Sequence, residues 1–138
     1  DKPQCLPWLA EFGKLRSRLG VYFVLGNHDY RVCGADELRE RLKALGLFDL
    51  GGRHELLTVE DTPILLAGNE IPWLREPPKL DQLPCPPESA RVLSIALSHT
   101  PDEFDWAREF ACQSLDPFFR PAATAFVFRE APFTCHRR

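Results

Sequence analysis

The sequence predicts a globular α/β domain, because buried-type strand patterns alternate with helical ones along a chain of 138 residues. The runs Val21–Leu25 and Arg91–Ser98 are rich in aliphatic, β-branched and aromatic residues, which is typical of strands covered on both faces. Apolar residues recur at helical spacing across 6–19 and 36–45. The length is sufficient for one domain with one core.

Two amphipathic helices are predicted in the first third of the chain. The first covers Leu6–Leu19, where Pro7 is tolerated in the first turn and Gly20 ends the helix. The second covers Asp36–Leu45 and ends at Gly46. The charged residues between its apolar positions are predicted to face solvent: Glu37, Arg39, Glu40, Arg41 and Lys43.

The middle of the chain predicts an antiparallel hairpin, a loop, and then a return to strand and helix. His54–Val59 and Ile64–Ala67 are short apolar runs separated by the turn-like segment 60–63. Repeated prolines across 71–88 remove backbone donors and exclude a helix or a central strand there. After the strand that ends at Ser98, a helix is predicted from Pro101 to about Arg108.

Charge and hydropathy narrow the classes of partner. The net charge of -3 and the scattered basic residues predict no nucleic-acid-binding patch, since such a patch needs a basic face. No apolar run approaches the roughly 20 residues that cross a bilayer. The residues from Asp1 onward resemble neither a signal peptide nor an initiator start, so a membrane anchor upstream stays open, and a cytoplasmic or membrane-peripheral location is expected.

The strongest chemical signal is Gly26-Asn27-His28-Asp29, directly after the first predicted strand. Glycine allows a sharp turn, and the next three residues bring an amide oxygen, an imidazole and a carboxylate to one strand end. Strand ends of this kind deliver side chains into the ligand crevice of α/β sheets. This tetrapeptide arises by chance in on the order of one in a thousand chains of this length.

His99 follows the second buried-type strand, within His99-Thr100-Pro101-Asp102. A lone histidine in this position is more often structural than a ligand. Its interpretation as a ligand therefore depends on the first motif.

Together, the two blocks resemble those of the calcineurin-like metallophosphoesterase family. Residues 20–30 resemble its central Gly-Asn-His-Asp/Glu block with the preceding strand, and 97–102 resemble its later strand-plus-histidine block. The resemblance covers 1–108 and implies part of that family's α/β/β/α sandwich.

The resemblance also implies roles for individual residues. Asn27 and His99 would be metal ligands, His28 would stabilise or protonate the leaving oxygen, and Asp29 would orient His28. The implied cofactors are two divalent ions such as Mn, Fe or Zn, which suit amide oxygen and imidazole nitrogen. The implied reaction is hydrolysis of a small-molecule or lipid phosphoester by a phosphatase, phosphodiesterase or pyrophosphatase.

The sequence departs from the family pattern at both ends. The Asp-x-His and Gly-Asp blocks are not in it, which predicts truncation just upstream of Asp1, and no Gly-His-x-His block follows Trp106. The chain is therefore divided into a partial metallophosphoesterase domain, 1–109, and an atypical tail, 110–138, either out of frame or disordered. This fragment is expected to be inactive alone, and the alternative function is a non-catalytic product or a metal-free scaffold of the same fold.

Overall fold

The computed structural model describes residues 6–84, 92–113 and 123–128. Four helices and six strands occur in these ranges. The helices are α1 (Leu6–Phe12), α2 (Asn27–Cys33), α3 (Ala35–Ala44) and α4 (Phe104–Gln113). The strands are β1 (Tyr22–Phe23), β2 (Phe48–Asp49), β3 (His54–Val59), β4 (Thr62–Asn69), β5 (Leu93–Ser98) and β6 (Ala123–Phe128).

The strands form two sheets. In the smaller sheet β1 and β2 are parallel, with Tyr22 opposite Phe48. The larger sheet has the order β3-β4-β5-β6, in which β3 and β4 are antiparallel and the pairs β4-β5 and β5-β6 are parallel. The predicted general α/β class is therefore confirmed.

The core is divided into three apolar clusters, because residues that alternate along each strand point to opposite faces. Between the two sheets lie Val24, Leu50 and Leu66, with Ile95 and Leu97 against them. The opposite face of the larger sheet packs against α4, and the members of that cluster are Leu65, Ala67, Val92, Ala96, Ala107 and Phe110. The smaller sheet packs against α3 through Phe23, Leu25, Leu38, Leu42 and Leu47.

Several predicted elements are confirmed. The second predicted helix corresponds to α3, the hairpin to β3 and β4, and the second buried-type strand to β5. The hairpin turns at Glu60 and Asp61, which both have positive φ, 48° and 65°. Two such residues form the tight turn whose twist matches that of the flanking strands. This turn sets the register in which Val59 faces Thr62.

The first helix is shorter than predicted, because α1 ends at Phe12 rather than near Leu19. Gly13 follows, and glycine is among the weakest helix formers. Leu15 and Leu19 are 50% and 41% exposed, so little apolar burial stabilises a longer helix. Across the part of the chain that the structure describes, every helix is too short or too polar to span a bilayer.

The helix predicted to end near Arg108 instead continues to Gln113, after a 3-10 turn at Pro101–Glu103. Phe110 in α4 is fully buried in the core, and β6 extends the larger sheet. The boundary drawn after residue 109 therefore falls inside α4. Whether 110–138 is out of frame remains a prediction.

Candidate functional site

The first motif lies where β1 leaves the smaller sheet and α2 begins. Gly26 is the N-cap of α2, and Asn27, His28 and Asp29 form the first turn of that helix rather than an open loop. Helical geometry therefore sets the direction in which each of these side chains leaves the backbone. Asn27 and Asp29 are half-buried, and His28 is exposed.

The position of His99, in the second motif, follows from the alternation of side chains along β5. Ile95 and Leu97 face the smaller sheet, so His99, two residues further on, extends the same row. Its backbone N–H donates to the carbonyl of Asn69 over 3.1 Å, which continues the β4-β5 ladder beyond Ser98. The ring is thereby directed towards the end of β1.

The side chains of Asn27 and His99 meet at this point, although 72 positions separate them in the chain. His99 Nε2 lies 3.1 Å from Asn27 Oδ1 and 3.3 Å from the Asn27 backbone nitrogen. One ring nitrogen cannot both donate to the amide oxygen and accept from the backbone N–H. Depending on its tautomer, the ring nitrogen therefore either donates to the amide oxygen or accepts from the backbone N–H.

This geometry suits two adjacent ligands of one divalent ion. Donors that lie about 2.1 Å from an ion, at roughly a right angle, are about 3 Å apart. Oxygen and imidazole nitrogen are also suitable donor types for Mn, Fe or Zn. The two residues fit the implied metal as part of a ligand set.

Gly26 is glycine because of the His99 ring. A Cβ at this position would lie 2.6 Å from His99 Nε2 and would overlap Cε1 and Nδ1. The φ of Gly26 is -133°, a value that any residue adopts, so the backbone conformation does not require glycine. Close packing of the His99 ring on the turn is therefore the reason that position 26 is a glycine.

Asp29 has a different partner from the one that the resemblance implies. Its Oδ2 accepts a hydrogen bond of 2.9 Å from the backbone N–H of Gly26. This is the carboxylate half of a helix capping box, which satisfies an amide at the start of α2. The Asp29 carboxylate therefore fixes the turn that carries Asn27, and among the described residues its hydrogen bond is to Gly26 rather than to His28.

Glu70 is a site-supporting residue that the sequence analysis did not identify. It is fully buried directly after β4 and faces the smaller sheet, in the row of Leu66 and Gly68. Its Oε1 accepts a hydrogen bond of 2.6 Å from the backbone N–H of Leu25, and its Oε2 is paired with Arg39. The strand end before the first motif is thus held by a buried carboxylate.

The prediction that Arg39 faces solvent is wrong, since this residue is only 2% exposed. Its guanidinium pairs with Glu70 and, over 2.7 Å, with Asp49, so two carboxylates offset the cost of burying the charge. Asp49 also pairs with Arg75 over 2.9 Å. A Cβ at Gly51 would overlap the Glu70 carboxylate, so the absent side chain makes room for this network.

Within the ranges that the structure describes, no three His, Cys, Asp or Glu side chains converge as a metal-binding group. Residues 85–91 of the proline-rich segment lie outside those ranges.

We compared the chain with protein-family models, with curated proteins and with solved structures, and none of them matches it.

Proposed function

We propose that this chain carries one side of the active site of a metal-dependent phosphoester hydrolase. Its fold would be part of the α/β/β/α sandwich of the calcineurin-like metallophosphoesterases. The observation that carries the proposal is the approach of His99 Nε2 to within 3.1 Å of Asn27 Oδ1. The two atoms belong to motifs that follow strands of different sheets, β1 in the smaller sheet and β5 in the larger one.

Asn27 and His99 would hold one of two divalent ions, and the remaining ligands would include the aspartates of blocks that this sequence does not contain. A pair of such ions activates a water and stabilises the charge on the attacking and leaving oxygens of an in-line displacement. The substrate class is a small-molecule or lipid phosphoester.

His28 would act on the leaving group. It is exposed in the first turn of α2, beside Asn27, so its imidazole is accessible to a substrate. Its proposed role is donation of a proton to the leaving oxygen. Asp29, through its bond to the Gly26 amide, would hold the turn in place during this step.

The coding DNA on both sides of this sequence provides the first test. In-frame Asp-x-His and Gly-Asp blocks upstream, and a Gly-His-x-His block in some frame near Phe110, are expected. If these blocks are missing, the non-catalytic alternative takes the place of the enzyme.

The second test is hydrolysis by the gene product that contains those blocks. The variant His28→Asn should lower kcat by roughly 10²–10⁴-fold on an alkyl phosphoester, because general acid catalysis contributes about that much. The loss should be smaller on an activated aryl phosphate, whose leaving group needs no proton. Metal content should be unchanged, whereas Asn27→Ala and His99→Ala should deplete it. Equal losses on both substrates, or loss of metal from the His28 variant, would contradict the role.

A further inference from the structure

Asn69 and Glu70, at the carboxyl end of β4, contact both halves of the candidate site. The backbone carbonyl of Asn69 accepts the N–H of His99 over 3.1 Å. The carboxylate of Glu70 accepts the N–H of Leu25 over 2.6 Å. Leu25 is two residues before Asn27. Two adjacent residues at the end of β4 therefore bind the backbone at, or just before, each of the two proposed ligands.

The two side chains point to opposite faces of the larger sheet, as strand alternation requires. Glu70 faces the smaller sheet, and the Asn69 amide lies on the other face, where Nδ2 donates to Glu103 over 3.3 Å. Asn69 Oδ1 also accepts the N–H of Ile71 over 2.9 Å. Both Asn69 and Glu70 are 0% exposed, so no water competes for these bonds.

The contacts of Glu70 are divided between the site and the ion-pair network. Oε1 binds Leu25, whereas Oε2 binds Arg39, which in turn binds Asp49. Asp49 shares the network and is buried to a similar degree, with 3% of its side chain exposed. Asp49 binds Arg39, Arg75 and the Gly51 amide, all away from Asn27 and His99.

We infer that Glu70 is a positioning residue, which fixes the end of β1 so that Asn27 lies against the ring of His99, whose backbone N–H is bound by the Asn69 carbonyl. The consequence for metal binding rests on the proposed function, but the positioning itself does not. Partners of this kind orient ligands, and their loss typically lowers metal affinity by roughly 10–100-fold.

The test compares Glu70→Ala with Asp49→Ala in this chain, without metal, by NMR. The readout is the set of nuclear Overhauser contacts between the His99 ring and the Gly26 α-protons, which report the packing of the ring on the turn. We expect these contacts to be lost in the Glu70 variant and kept in the Asp49 variant. Contacts of Phe110 with Val92, on the far side of the larger sheet, show in each case that the fold is intact.

The pair Glu70→Met and Asp49→Val repeats the comparison with side chains of similar size and no acceptor oxygen, in case the alanine variants do not fold. Retention of the His99–Gly26 contacts in a folded Glu70 variant would overturn the inference. So would unfolding of Glu70→Met while Asp49→Val stays folded, because Glu70 would then serve the fold as a whole.

Titration of the same proteins with Mn²⁺ separates this inference from the proposed function. If the wild-type chain takes up no Mn²⁺ at Asn27 and His99, but the contacts are still lost in the Glu70 variant, the positioning stands and the proposed function fails. If the wild type binds Mn²⁺ there and the folded Glu70 variant binds it equally well, the positioning fails alone.

Discussion

Gly26 is the residue on which the approach of the two motifs depends most directly, because the His99 ring occupies the space of its missing side chain. The variant Gly26→Ala should push the ring away from Asn27. Overpacking of this kind typically costs about 1–3 kcal/mol of unfolding free energy. Urea denaturation would measure the loss, and NMR would show separation of the His99 ring from the turn.

Gly46→Ala is the matched control for Gly26→Ala. Gly46 has a φ of 86°, and a Cβ added to it would meet no atom within 4 Å, so alanine introduces backbone strain without a clash. It should lower stability and leave the His99 ring in place. If Gly26→Ala is as stable as the wild type, the close approach is not a feature of the folded protein.

At the residue scale, the sequence predicts the groups with distinctive chemistry and misses the groups that support them. Asn27 and His99 are identifiable because each follows a buried-type strand in a motif. The burial of Arg39 cannot be identified from the sequence, because its carboxylate partners, Asp49 and Glu70, come from other parts of the chain. Only the alternation of β4, continued by two positions beyond Gly68, could have indicated that Glu70 faces the other sheet.

At the scale of elements, periodic patterns predict well that a helix or strand exists, and less well where it begins and ends. α3 and the hairpin are predicted because their apolar residues repeat over several turns or strand positions. The first motif is expected at a sharp turn after a strand, but it begins α2, a helix whose short sequence has no clear period. β6 is not predicted either, and its strand depends on pairing with β5, a contact far away in the sequence.

α4 provides a prediction at this scale, because it crosses the boundary drawn after residue 109. Phe110 is fully buried with Leu65, Val92 and Ala96, so Phe110→Ala should reduce the free energy of unfolding by about 3–5 kcal/mol. Denaturant unfolding would measure the change. A large loss would show that α4 contributes to the core rather than to an unstructured tail.

Phe104→Ala is the control, because this residue at the start of α4 is 50% exposed. Its removal should cost well under half as much as that of Phe110. Similar small losses in both variants would indicate that α4 is not packed on the larger sheet.

At the scale of the whole molecule, the order of the elements follows from the sequence, but their arrangement in two sheets does not. Both faces of β4 and β5 are covered, one by the smaller sheet and one by α4. Which strand lies beside which depends on contacts between distant segments. The same packing places the ends of β1, β4 and β5 together, where Glu70 binds Leu25 and the neighbouring Asn69 binds His99.

A titration of this chain with Mn²⁺, followed by paramagnetic broadening of its NMR signals, tests directly whether Asn27 and His99 bind one ion. We expect weak binding, because Asn27 and His99 supply no anionic ligand. The Asn27 side-chain amide and the His99 ring should broaden first, and Asn27→Ala or His99→Ala should each abolish the effect while His28→Ala does not. Broadening centred on exposed carboxylates such as Asp102 and Asp105, or tight binding of two ions, would show that Asn27 and His99 are not the ligand pair.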